Sequence, residues 1–436
     1  MDAVRLQVLD PNVQFSCHSC TTCCDQPWRT LIEEDKAKAL DAHDFSAYPQ
    51  LAGKRFYHNV KGAGKGYYVL AKGEGNRCLF LDADGLCIIH KEMGPQAKPR
   101  PCLGFPYTVA RTGTEDRVSV DFGCPSVQNN AGRPLTEQGE DVAAVIRKSR
   151  KQPDLNAKVQ LDGSIKLPAT VADALFDRLI DIFGADRSGD IWQRFAEAIV
   201  LLVATQRFVR SDEEDRTEHR FFELLENDEA LPDTPELPEI IAYDRPVAAP
   251  SPARLLFAAT LFRDTAPPDA TANAGLLKRL TMLPKLMSLA RMSGGYASRV
   301  LERNLSVQEA FTHPMNEELD AAGTALLLRY YRSRLWQRCP AGSKLSIIGG
   351  VHQHIHDLNA IILFARARAL ETGESCFSEQ LIRFGLQCVE LHLANQPRVY
   401  DQNRVGWFRA QLDSPSVALA SLRLMALKRP IAAVVE

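Results

Sequence analysis

The sequence predicts an α+β protein: a small loop-rich, cysteine-cluster domain with short antiparallel strands, followed by a mostly α-helical domain. Three observations predict it. Eight of the eleven cysteines fall within the first 124 residues. The same region alternates short apolar runs with Gly- and Asp-rich turns, the pattern of hairpins. From about Ala169 the apolar spacing changes to every three or four residues, the period of amphipathic helices.

In chain order, Thr30–His43 reads as a short helix, with Thr30 as cap and Glu33 three residues on, a capping-box pattern. Arg55–Val60 and Gly66–Ala71 bracket Lys-Gly-Ala-Gly-Lys as a hairpin. Cys78–Leu81 and Leu86–His90 bracket Asp82-Ala-Asp-Gly85, a tight turn whose Gly sits where positive φ is required. Tyr107–Arg111 and Arg117–Asp121 form a third strand pair. Beyond them, Val171–Phe183, Asp190–Val209 and His219–Asn227 read as helices. Met315–Trp336, Leu345–Leu370 and Glu379–Ala394 do the same further on. The expected organisation is a cysteine-cluster domain over 1–130 and a helical segment over 131–228. A Pro-rich linker or surface connection over 229–252 and a helical domain over 253–436 complete it.

The 436 residues are 45% hydrophobic, enough for two cores. With 52 basic and 54 acidic residues, no global charge recommends a nucleic acid or an anionic membrane as partner. The first residues lack the basic and apolar regions of a secretory signal, and no apolar run approaches a membrane span. Ala198–Thr205 and Leu255–Leu261 are the longest such runs and read as core. The expected compartment is the cytoplasm. Disulfides seldom persist there, so crowded thiols point first to metal.

Cys17, Cys20 and Cys23 are spaced by two residues each, so one loop can present them to a common centre. Thiolate is a soft ligand suited to zinc and to iron–sulfur clusters. Adjacent Cys23 and Cys24 point apart and rarely serve one ion; one faces a second site or stays free. Cys78 and Cys87 span the tight hairpin. Cys102 lies in a proline-stiffened loop, Pro99-Arg-Pro-Cys-Leu-Gly-Phe-Pro106, and Cys124 in Phe122-Gly-Cys-Pro125. These Gly and Pro flanks let amides approach sulfur, which tunes a metal site. Eight sulfurs allow one four-sulfur centre with spares, or two centres; zinc and iron–sulfur stay open. His18 and His90 are near enough in sequence to replace a thiol, although surface imidazoles are the commoner outcome.

The order Cys-x2-Cys-x2-Cys-Cys, Cys78-Leu-Phe-Leu-x4-Leu-Cys87-x-Ile, and Arg100-Pro-Cys102-x2-Phe-Pro resembles the YkgJ-type cysteine-cluster family, over about residues 15–126. One departure is that no residue separates Pro101 from Cys102. The family is described as a zinc- or iron-chelating domain and includes flagellin lysine N-methylase. The resemblance implies that Cys17, Cys20, Cys23, Cys24, Cys78, Cys87, Cys102 and Cys124 bind metal, as a 4Fe-4S iron–sulfur cluster or as zinc. It also implies S-adenosylmethionine-dependent methylation of a protein lysine, with flagellin as the model substrate. The alternatives are a zinc-stapled interaction module without catalysis, and a metal-handling protein.

Other motifs weigh less. His352-Gln-His354-Ile-His356-Asp357 places His352 and His356 on one helix face, able to grip a metal or move a proton. Without the glutamate of zinc proteases, a polar helix face with a partly buried histidine is preferred. Gly62-Ala-Gly-Lys-Gly66 lacks phosphate-loop spacing and reads as a hairpin turn. Arg329–Trp336 reads as a solvated basic face over an aromatic stripe. Cys339, Cys376 and Cys388 read as small buried hydrophobes.

Overall fold

In the computed structural model the chain divides into two compact units, Met1–Pro153 and Asp154–Glu436. The described residues are 5–8, 13–26, 29–59, 65–112, 115–148, 159–187, 189–211, 218–226, 251–265, 284–291, 295–316, 318–337, 345–393 and 406–425. The Gly-rich 62–66 turn lies mostly outside them, as do the Pro-rich stretch up to residue 250 and Cys339.

The N-terminal unit is built from small sheets. β1 (Arg5–Val8) and β2 (Gln14–Phe15) precede the cysteine loop. β3 (Leu31–Glu33), β4 (Tyr57–His58) and β5 (Tyr67–Leu70) form one antiparallel sheet in the order β3-β5-β4. The hairpin expected around residues 55–71 is therefore present, with Tyr57 opposite Leu70. The helix expected from Thr30 begins later, at Glu34, and runs to Ala42. Leu31–Glu33 instead pair with Tyr67–Val69, and Glu33 caps the helix without a side-chain bond. Ile32 is fully buried in that pairing, so sheet contacts outweigh the capping-box pattern.

β6 (Tyr107–Thr112) and β7 (Glu115–Val120) form the expected antiparallel pair, Tyr107 opposite Val120. β1 adds to β7 in parallel, a pairing that local alternation does not reveal. β8 (Arg133–Pro134) closes on β2, and a helix over Gly139–Lys148 follows. The core between the β3-β5-β4 sheet and the second cysteine segment holds Ile32, Leu40, Phe45, Leu70, Phe80 and Ile88. Phe80 packs edge-on against Phe45 at 5.6 Å and beside Phe56 at 5.2 Å.

The second unit is mostly helical. Ala169–Ile182 and Ile191–Arg210 match the apolar periods, the latter capped by Asp190, whose side chain accepts from the Gln193 amide. A 26-residue helix, Ile347–Thr372, runs through the core and is buried almost throughout up to Ala369. Helix Glu379–Gln387 lies close along it, with Gly385 against the Ile361 carbonyl. That second helix continues as one π-helical turn, Cys388–Leu393. No described helix is long and apolar enough to cross a membrane.

Candidate metal centre

The loop carrying the first four cysteines is held in an unusual backbone shape. Ser19 and Thr21 adopt left-handed φ of 53° and 63° on either side of Cys20. Such a conformation in a β-branched residue costs about 1–3 kcal/mol and needs surroundings that enforce it. The Cys24 and Asp25 amides both return to the Thr21 carbonyl, at 2.7 and 3.1 Å, which coils the loop. Cys17 and Cys20 stay exposed, while Cys23 and Cys24 are half-buried with their sulfurs 3.9 Å apart.

The second segment is stitched to this loop. The Cys78 amide donates to the Cys24 carbonyl at 2.8 Å. Cys78 also bridges Lys72, and Leu81 bridges Cys87, across the Asp82–Gly85 turn. The Asp82 carboxylate organises that turn by accepting from the Asp84 and Leu86 amides, at 3.0 and 2.7 Å. Gly85 has φ 78°, as its place in the turn requires, and faces Thr21 and Ser19 closely. Leu86–His90 is not a strand: a helix starts at Ile88 and runs to Met93, with Cys87 at its head. Ile88 and Ile89 are both buried, which alternation would forbid and a helical turn allows. Arg100–Gly104 is likewise a helical turn and not a loop, with Pro101 in its first turn.

Electrostatics sort the thiols into neighbourhoods. The Cys24 thiol is raised well above its ordinary range, first by its contact with the Cys23 thiol and then by burial. Burial pushes Cys78 up to about 11, with the charges of Cys24 and Cys87 adding to it. Cys102 is pushed up to about 12, first by burial and then by Cys78, Cys24 and Cys87. Part of residue 102 reaches the surface, but its sulfur is desolvated. Burial also raises Cys87. Lys98 opposes these shifts at Cys24, Cys87 and Cys102, and Lys72 opposes them at Cys24 and Cys78. Cys124 belongs elsewhere: burial raises it to about 11, and the further thiols it feels are Cys20 and Cys17. His18 Nδ1 lies 2.8 Å from the Ser126 hydroxyl, which ties the first loop to the turn carrying Cys124.

Backbone amides favour the thiolate at three positions: Phe80 for Cys78, His90 and Ile89 for Cys87, and Val127 and Ser126 for Cys124. This is the amide approach that the Gly and Pro flanks imply. Among the described residues, no three Cys, His, Asp or Glu side chains close on one point as a finished cage. Gathered soft sulfurs with amide donors and lysine counter-charges that favour their thiolate forms nevertheless have the donor chemistry of a thiolate-bound metal.

The histidine run is not a polar surface. His352, His354 and His356 are all buried in the long helix. His352 and His356 do share a face, stacked at 4.9 Å. His352 Nδ1 donates to the Leu412 carbonyl at 3.0 Å, and Nε2 lies 2.8 Å from the Ser421 hydroxyl oxygen. Burial holds His352 near 4 and His356 well below its ordinary value. His354 faces Tyr331 and Asp357 instead. Arg329, Arg332 and Arg334 are half-buried beside fully buried Tyr330 and Tyr331, so the aromatic stripe is core. Cys388 is buried as expected, whereas Cys376 is exposed.

Fold and site together describe an α+β protein with a cysteine-gathering unit and a helical unit. Flagellar biosynthetic protein FliU of Salmonella muenchen is similar to it, 28% identical over 116 residues, covering 26% of this chain and 68% of that protein. No family model matches the chain. No solved structure matches it.

Proposed function

We propose that the N-terminal unit is a thiolate metal centre, iron–sulfur in its most concrete form, in a protein that methylates lysines of a protein substrate. The observation that carries the metal reading is the gathering of Cys24, Cys78 and Cys87: the Cys78 amide is bonded to the Cys24 carbonyl, and the Leu81–Cys87 bridge folds Cys87 back across the turn that follows. The similar Salmonella protein is named for flagellar biosynthesis, which supports flagellin as the first substrate to try. In this reading the thiolates hold the metal, the amides of Phe80, Ile89 and Ser126 favour the charged sulfurs, and Lys72 and Lys98 offset their charge. An iron–sulfur cluster, when bound, supplies one-electron chemistry. S-adenosylmethionine is the methyl donor in this reading, and no described residue is assigned to it. His352 and His356 do not serve a substrate amine, because both are sealed in the core and partnered there.

The test is anaerobic purification followed by iron, sulfide and zinc analysis, then incubation with flagellin and S-adenosylmethionine. Iron with matching sulfide, broad visible absorption and new methyl-lysine are expected. Absence of iron and sulfide removes the iron–sulfur form. Stoichiometric zinc in a colourless, chelator-sensitive protein leaves the zinc-stapled module. Metal-loaded protein that leaves flagellin lysines unmodified removes the methylase reading.

A further inference from the structure

Resting on the metal reading above, we infer that the eight cysteines serve two separate four-sulfur centres divided at the Cys23–Cys24 peptide bond. Cys24, Cys78, Cys87 and Cys102 hold one. Cys17, Cys20, Cys23 and Cys124 hold the other.

The first set is joined by backbone geometry. The Cys78 amide is bonded to the Cys24 carbonyl, and the Leu81–Cys87 bridge folds Cys87 back across the turn that follows Cys78. Cys78 and Cys87 pack against one core, with Phe80, Ile88 and Ala97. Ala97 is followed by Lys98, whose carbonyl accepts from Lys36, and then by the turn bearing Cys102. The second set is joined by different bonds. The Ser16 amide donates to the Ala131 carbonyl at 3.0 Å, and His18 meets Ser126 at 2.8 Å. Cys17 is thereby held beside the turn that starts at Cys124.

Cys23 is placed by elimination. Its sulfur lies 3.9 Å from that of Cys24, where it would be a fifth thiol in a set that already has four. Zinc and four-iron clusters both take four cysteines. The other set has three, and Cys23 continues its two-residue spacing. Contrary to the expectation that adjacent side chains point apart, the two sulfurs sit together, so the partition requires Cys23 to change its χ1 rotamer, moving away from Cys24 to join the second set.

The test uses the full chain, purified anaerobically, in three forms: the parent, Cys78→Ser/Cys102→Ser, and Cys17→Ser/Cys124→Ser. Each double variant is expected to retain about half of the parent's metal, with far-UV circular dichroism unchanged. Alkylation mapped by mass spectrometry is expected to find the untouched quartet protected, Cys23 with Cys17 in the first double variant. Loss of all metal from a variant that stays folded overturns the partition. Where a variant fails to fold, the parent alone decides, during stepwise chelation. Two phases of thiol exposure with the memberships above support the partition, and a single phase for all eight overturns it. A parent chain that binds no metal at all overturns the underlying metal reading instead.

Discussion

The amide of Cys78 donates to the carbonyl oxygen of Cys24 at 2.8 Å, joining residues far apart in sequence. That bond aligns the first cysteine loop against the second cysteine segment. It makes the gathering of thiols a property of the backbone before any ligand is considered. The turn after Cys78 then presses on the loop through Gly85.

Gly85→Ala tests that contact. Its φ is 78°, and a Cβ would lie 3.0 Å from Thr21 Cγ2 and 3.3 Å from the Ser19 carbonyl oxygen. The left-handed backbone alone costs about 1–2 kcal/mol for an alanine. The expected outcome is lower stability in urea and faster alkylation of Cys20 and Cys23. Gly85→Asn should lose less stability, since asparagine tolerates this backbone region.

Lys98→Ala probes the counter-charge. Lys98 favours the thiolates of Cys24, Cys87 and Cys102, so its removal should weaken metal retention against a competing chelator. The effect should shrink as salt rises, because the charge acts through partly exposed surroundings. Lys98→Arg should restore most of it.

Gly385→Ala should destabilise the helical unit, although alanine is the better helix former by about 1 kcal/mol. A Cβ there would sit 2.2 Å from the Ile361 carbonyl oxygen, which is backbone and cannot rotate away. Separating the two helices should cost about 1–3 kcal/mol or more, read as a lower thermal midpoint.

Arg366→Met should cost about 2–4 kcal/mol. The buried guanidinium donates to the Phe311 and His313 carbonyls at 3.1 and 3.3 Å and lies over the Phe311 and Phe377 rings. Arg366→Lys should rescue little, because an ammonium cannot keep both the fork of donors and the stacking.

Acid should weaken the helical unit through its buried histidines. An unfolded histidine titrates near 6.5, whereas burial holds His352 near 4. Above pH 6.5 both states are neutral and this group contributes no pH dependence. As pH falls from 6.5 toward 4, the unfolded chain takes up a proton that the folded chain refuses. Stability therefore declines by about 1.4 kcal/mol per pH unit, on the order of 3 kcal/mol in all. Urea midpoints across this range should fall more steeply for the parent than for His352→Gln.

Much of the site was legible in local spacing. The tight turn at Asp82–Gly85 follows from its own residues, because an aspartate carboxylate and a glycine at positive φ need no distant partner. The strand pair around residues 107–121 and the helices from 169 onward follow from apolar period. The start of the first helix was not legible: Thr30 and Glu33 spell a cap, but pairing with Tyr67–Val69 draws Leu31–Glu33 into a sheet. Nor was the burial of the histidine run. Its polar residues read as a surface, whereas in the fold Leu412 and Ser421 from other helices meet His352, and Asp357 a turn away meets Gln353, inside the core.

The sequence by itself determined that eight cysteines are crowded into one α+β unit with turns and prolines beside them, and that helices follow. Those features depend on residues a few positions apart, where side-chain type and spacing decide the outcome. The tertiary structure alone decided which thiols are neighbours. Cys24 meets Cys78, and Cys17 comes beside Cys124, because hydrogen bonds and core packing bring together segments that no local pattern connects.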